Sequence, residues 1–234
     1  YSWSPATGLS ATTGSSVLAN PTTTTTYTVT GTDNNGCQNT AQITVIVNLL
    51  PTASISGNTE VCLGEAEPTI TFTGANGTAP YTFTYNINGG ANQTVNSTGN
   101  TATILAPNNV NGTFTYHLVS VEDASAAACA QTQSGSVTVT VNLLPTVSVS
   151  ATDTEICQGS STSLTASGAS SYSWSPSTGL DATTGAIVNA TPPSTTTYTV
   201  TGTDGNGCQN TAQITVIVNP LPTASISGNP DVCV

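Results

Sequence analysis

The stretch TYTVTGTDGNGCQNTAQITVIVN, residues 197–219, holds two runs of alternating residues around a single turn. Thr, Val, Ile and Tyr dominate the runs, and residues two apart share a face of a strand, so each reads as a half-buried β-strand. Asp-Gly-Asn-Gly at 204–207 interrupts the alternation with residues that favour tight turns. The pair reads as an antiparallel hairpin. The same period of two recurs in SLTAS, YSWS, TITFTG, YTFTYNI and GSVTVTV, separated by Gly, Asn and Pro clusters such as NINGG and PNNVNG. No stretch combines helical spacing with caps. The expectation is an all-β chain of antiparallel β-sandwiches with about seven short strands in each.

The hairpin is also a repeated phrase. Residues 1–63 laid over 172–234 agree at 50 of 63 positions without a gap, an offset of 171 residues. Self-similarity on this scale marks tandem modules. The period divides into a long module, expected over 51–142, and a short one, expected over 145–219. Each opens on Pro-Thr with alternation (PTASIS, PTVSVS) and closes on alternation and Asn (VTVTVN, ITVIVN). Only Leu-Leu or Pro-Leu separates one module from the Pro that opens the next. Residues 1–48 then read as a partial short module lacking its first strands, and 220–234 as the first strand of a further long module. The whole reads as an excerpt of an extended array.

Composition narrows the function. There is no Lys or Arg, and eleven carboxylates against a single His leave a net charge of −11. Such a surface repels phosphate backbones and anionic lipid, which argues against nucleic acid as a partner and against membrane binding. Apolar runs such as ITVIV are too short to cross a bilayer, so membrane insertion is not expected. Modules of this size bury only a small core, and additional staples help them. Six Cys without metal-type Cys-x-x-Cys spacing fit disulfides and an oxidising, extracellular setting.

Trp174 falls mid-module in YSWSP, a position for a core aromatic, and Phe83 in YTFTY is its counterpart in the long module. Tyr198 and Tyr116 are expected to begin the strand before the last hairpin turn, and they read as tyrosine-corner residues, whose hydroxyl finds backbone. Together, ICQGSSTSLTASG, YSWSPSTGL and TTTYTVTGTDGNGCQNTAQITVIVNPLP resemble the Ig-like/PKD-like tandem repeats of large Bacteroidota cell-surface adhesins. The resemblance covers both short copies well and the long module more loosely. It implies Ig-like sandwiches, export through the type IX system, and an adhesin or gliding-motility setting.

In that topology the A–B turn lies at one end of a sandwich and the F–G turn at the other. Cys62 and Cys157 sit beside A–B turns; Cys37, Cys129 and Cys208 sit at or beside F–G turns. Pairing within a module would join Cys62 with Cys129 and Cys157 with Cys208. A disulfide needs Cα atoms within about 7 Å, whereas a strand of five or six residues spans about 17–20 Å. Across a two-residue linker, the A–B end of one module abuts the F–G end of the next. Cys62–Cys208 is therefore the expected bridge. A third arrangement has residues 222–233 complete the partial module of a neighbouring copy, joining Cys233 to Cys37 by donor-strand pairing.

Acidic residues gather at the same turns. Glu60, Glu65 and Glu67 flank one A–B turn and Asp204 lies in the following F–G turn. With no Lys or Arg to neutralise them, converging carboxylates would suit calcium; otherwise they are solvated turn residues, Asp204 shaping an Asx-type turn. No other cofactor is called for. His117 stands alone on a strand, and Glu122–Asp123 or Glu65/Glu67 would serve glycosidic cleavage only in a cleft. No catalytic residue is assigned, and the chain does not read as an enzyme. Sequons at Asn76, Asn92, Asn96, Asn111 and Asn189, and the run Thr22–Thr26, leave glycosylation undecided. The expected role is a structural stalk or spacer in an exported fibre or giant adhesin at the cell surface. Its partners would be further repeats or other copies of the chain. The alternative is an adhesive module whose Thr/Asn-rich faces bind surface polysaccharide or like copies on neighbouring cells.

Overall fold

The structure, a computed structural model, describes residues 1–228, which form nineteen strands and no helix. Residues 1–48 contribute β1 (Ser2–Ser4), β2 (Thr25–Thr32) and β3 (Gln38–Val45). Residues 51–142, the expected long module, contribute β4 (Thr52–Ser56), β5 (Thr59–Cys62), β6 (Thr69–Ala75), β7 (Thr82–Ile87), β8 (Gln93–Asn96), β9 (Thr101–Leu105), β10 (Gly112–Glu122), β11 (Ala130–Thr132) and β12 (Ser136–Asn142). Residues 145–219, the expected short module, contribute β13 (Ser148–Ala151), β14 (Glu155–Cys157), β15 (Thr162–Ser167), β16 (Ser171–Ser175), β17 (Ile187–Ala190), β18 (Thr196–Thr203) and β19 (Gln209–Asn219). The chain packs as two compact bodies. One comprises Tyr1–Asn58, Thr69–Ala106 and Phe114–Val139; the other comprises Thr59–Pro68, Pro107–Thr113 and the residues from Thr140 onward.

The short module, in the second body, shows how the alternation becomes an Ig-like sandwich. One sheet has the order β13-β15-β17 and the other β14-β19-β18-β16. All its pairings are antiparallel except β14 on β19, which is parallel. Leu164, Ala166, Val188 and Ala190 from the first sheet meet Ile156, Trp174, Tyr198, Val200 and Val216 from the second. Each large side chain so buried contributes about 1.5–3 kcal/mol. Trp174 also donates its indole N–H to Gly185 O at 2.9 Å, which removes the cost of burying that donor. The Tyr198 hydroxyl donates to Thr178 O at 2.7 Å, in the loop after β16. It thus anchors a loop twenty residues upstream, a longer reach than a tyrosine corner makes. Gly168, at φ +93°, allows the backbone of the turn after β15 to crowd Thr146; a Cβ there would lie 1.9 Å from Thr146 O.

In the first body, β1-β2-β3 form a sheet with the same local devices: Trp3 Nε1 donates to Gly14 O at 3.0 Å and Tyr27 Oη to Thr7 O at 2.7 Å. Trp3 is half-buried where Trp174 is 4% exposed, because residues 1–48 hold no counterpart of β13 and β15 to cover it. The long module brings β4-β6-β9 and β12-β10-β7-β8 together, with β11 pairing off β10. Its core is aromatic. Phe72 stacks with Phe83 at 5.6 Å and meets Tyr85 at 5.1 Å between ring centroids. Tyr116 lies five residues into β10, fully buried against Tyr85 at 6.4 Å, rather than at the head of its strand. β5 pairs with β12.

Residues 220–228, read above as the start of a further long module, carry no assigned strand. Their sequence twin β4 is held by β6. Cys233 and its pairing with Cys37 lie outside the described residues.

Candidate functional site

The feature that unites the modules is how they present cysteine. In the turn between β18 and β19, the Asp204 carboxylate accepts from the Asn206 and Cys208 amides, both at 2.9 Å. Asp33 does the same for Asn35 at 2.9 Å and Cys37 at 2.8 Å. Asp123 accepts from the Cys129 amide at 3.0 Å, the Ser125 hydroxyl at 2.7 Å and the Thr78 amide at 2.9 Å. In all three turns the Asp amide also donates to the Cys carbonyl at 3.0 Å. A left-handed residue precedes each Cys: Gly36 at φ 82°, Gly207 at 85° and Ala128 at 48°. The Thr78 amide, then the Ser125 hydroxyl, hold the buried Asp123 carboxyl below the usual carboxylate range.

The A–B cysteines form a second matching set. Cys62 ends β5 and Cys157 ends β14, and each begins a tight turn. Glu65 N donates to Cys62 O at 3.1 Å and Ser160 N to Cys157 O at 2.9 Å. Leu63 N and Gln158 N donate to the last residue of their module, Asn142 O and Asn219 O, both at 2.9 Å. Gly64 and Gly159 take φ of 82° and 85°.

Within the second body, one member of each set is joined. Cys62 Sγ is bonded to Cys208 Sγ at 1.99 Å, with Cα atoms 5.5 Å apart and 146 residues of sequence between them. Cys208 is fully buried and Cys62 is 8% exposed, so solvent has little access to the bridge. The within-module alternatives, Cys62 with Cys129 and Cys157 with Cys208, are not formed. Cys62 and Cys208 occupy each other, and Cys37, Cys129 and Cys157 are free thiols.

The carboxylates do not converge. Glu60, Glu65 and Glu67 are exposed; Glu65 accepts from the Cys62 amide at 3.4 Å, and Asp204 is engaged by its own turn. Among the described residues no three His, Cys, Asp or Glu side chains gather as a metal group. Of the four, only Glu65 and Asp204 accept from backbone amides, those of their own turns. His117 is exposed on β10, and the Glu122–Asp123 pair is split, Glu122 outward and Asp123 buried on amides. Sequence reading missed the clamp made by Asn108, whose carbonyl accepts from Gly64 N at 3.1 Å while its side-chain amide donates to Glu65 O. It also missed that one Asp positions each F–G cysteine, although Asp-x-x-Gly-Cys at 33–37 and 204–208 carries that signal. In the first body, Ile46 and Asn48 share an open groove of about 560 Å³ with Thr78 and Ala124–Ala127, the loop leading to Cys129.

No sequence-family model matches the chain, and no curated protein is similar to it in sequence. Among solved structures, it is similar to a calcium-stabilised adhesin with which an Antarctic bacterium binds ice. The identity is 16% and the TM-score 0.44, over 84% of this chain and 57% of that one. It is likewise similar to the structure describing host-cell surface retention of a 1.5-MDa bacterial ice-binding adhesin, with 16% identity and TM-score 0.41 over 84% of this chain and 74% of that one. The Escherichia coli adhesin FdeC matches at 15% identity and TM-score 0.41, over 87% of this chain and 76% of that one. The chain thus spans less than two thirds of the first of these and about three quarters of the others.

Proposed function

We propose that the chain is part of a structural stalk: tandem Ig-like modules of an exported cell-surface fibre or giant adhesin that hold a distal element away from the cell. The observation that carries this reading is the Cys62–Cys208 bond, which staples the A–B turn of one module to the F–G turn of the next across the linker Leu143–Leu144. A free two-residue linker would let successive modules swivel; a second covalent tie beside it removes that freedom. Pro51 and Pro145, which open the modules, fix φ and act in the same sense. Calcium has no assigned place in this reading.

Adhesive binding is the second reading, and buried aromatics weigh against it. Tyr81, Phe83, Tyr85, Tyr116, Trp174 and Tyr198 are all in cores and leave few rings to stack on sugar. Electron microscopy of the native assembly tests the stalk. Two sandwiches per 171-residue repeat, each about 40 Å long from its strands and turns, give an axial repeat of about 80 Å. A repeat near half that value would mean that modules fold back on one another, and would overturn the reading.

A further inference from the structure

We infer that Asn108 is the positioning residue of the Cys62–Cys208 bridge: it holds the turn of Cys62 against the turn of Cys208, and so sets how much reductant the bond withstands. The inference rests on the stalk reading and names the side chain on which the staple depends. Cys208 is placed by its own turn, where the Asp204 carboxylate accepts from its amide at 2.9 Å, and it is buried. Cys62 ends β5 in a tight turn that needs anchors outside itself to stay in place. Leu63 N, tied to Asn142 O at 2.9 Å, is one anchor. Asn108, in the loop between β9 and β10, gives two more: its backbone carbonyl accepts from Gly64 N at 3.1 Å, and its side-chain amide donates to Glu65 O. Asn108 is itself buried, so water competes little for either bond.

The turn of Cys157 shows what Asn108 adds. It closes in the same way, with Ser160 N on Cys157 O, a left-handed Gly159, and Gln158 N tied to Asn219 O. Strand register matches Ile70–Ile104 of the long module with Leu164–Val188 of the short one, which puts Pro192 where the long module has Asn108. Proline has no side-chain donor. Such a turn therefore forms without the clamp, and Asn108 is not what folds it. The clamp instead fixes the far side of the turn to the body of the module, and it stands at the turn whose cysteine is bonded.

Reduction by glutathione opens the bridge in two exchanges. One glutathione thiolate attacks a bridge sulfur and frees the other cysteine as a thiolate, leaving a mixed disulfide. A second glutathione thiolate attacks the glutathione sulfur of that mixed disulfide and frees the remaining cysteine. Two glutathiones give up two electrons and become one glutathione disulfide, and their two thiol protons pass to the two cysteines. Between the steps, the freed thiolate can attack the mixed disulfide and close the bridge again. How often it does so follows the effective concentration of one cysteine at the other. A clamp that keeps the Cys62 turn in place raises that concentration, because the ordering is supplied in advance.

The test uses the full chain with Cys37→Ser, Cys129→Ser, Cys157→Ser and Cys233→Ser, which keeps the bridged pair. The chain is equilibrated at varied ratios of reduced to oxidised glutathione, then quenched and alkylated. It is read by mass spectrometry of peptides cut at carboxylates, since there is no Lys or Arg for trypsin. Asn108→Ala removes the side-chain amide and keeps the backbone carbonyl; Asn108→Asp keeps the size and turns an acceptor toward Glu65 O. The equilibrium constant for the bridge should fall about fivefold in Asn108→Ala, the ratio carried by one lost hydrogen bond, and further in Asn108→Asp. Circular dichroism of the reduced chains should show both variants folded. An unmoved equilibrium in Asn108→Ala would overturn the inference. So would a variant that unfolds when its bridge is opened while the parent stays folded, because Asn108 would then build the module and not place the thiol. Absence of the Cys62–Cys208 peptide from the oxidised parent would instead overturn the stalk reading.

Discussion

Asp123 holds its loop by accepting from Thr78, Ser125 and Cys129, with no cation anywhere near to share the work. Those bonds favour the ionised carboxyl, so its pKa is lower folded than unfolded. The stability it contributes is therefore present above the unfolded carboxylate value of about 3.9 and is lost as pH falls through the lower, folded value. Asp123→Asn should lower the melting temperature at neutral pH, and the gap from the unsubstituted chain should close in acid. Thermal melts followed by circular dichroism across that range would check it; a gap constant with pH would not fit. Glycine offers a second contrast at this scale. Gly168→Ala drives a methyl to 1.9 Å from Thr146 O and should abolish folding of the short module. Gly159→Ala, at φ +85° in open space, should cost only the left-handed penalty of about 1–2 kcal/mol. Urea unfolding of the two variants separates them.

Strands were the legible part of this protein, because a period of two fixes which side chains share a face before any partner is known. Tyr198, Val200 and Val216 alternate with Thr and all end in the core. What stayed hidden was pairing that alternation does not encode. β14 spans three residues, too few to display a period, yet its parallel seat on β19 is what brings Cys157 to the end of the module. The Tyr198 hydroxyl could be expected to seek a carbonyl, but a loop folded back from twenty residues upstream leaves no local mark in the sequence. Tyr198→Phe removes that tie between β18 and the loop after β16 while keeping the ring, and should cost about 1 kcal/mol by chemical denaturation. A loss several times larger would mean that the hydroxyl organises more than one loop. The candidate site was readable to a similar depth. Cysteine spacing and turn position sorted the thiols into two sets, whereas the clamp by Asn108 needed the coordinates, since 43 residues separate it from Glu65.

The molecule as a whole has a surface of hydroxyls and amides, with a net charge of −11 and no Lys or Arg side chain to form an ion pair. Cross-strand hydroxyl pairs such as Thr197–Thr215, at 2.8 Å, and Thr26–Thr44, at 2.8 Å, stand where other sheets carry charged pairs. Added salt therefore has mutual repulsion among carboxylates to screen and little attraction to lose. Raising sodium chloride should increase the melting temperature or leave it unchanged; a fall would reveal an attraction that the sequence gives no means to make. The covalent tie between Cys62 and Cys208 has a further consequence when the two termini are pulled apart. Force then passes through the sulfurs, and the 146 positions of chain between them cannot be drawn out until that bond breaks. At about 3.5 Å per extended residue, this hides roughly 500 Å of contour length. Single-molecule stretching should show that length appear when a reductant is added. Under oxidising conditions, the tether would remain short and hard to extend.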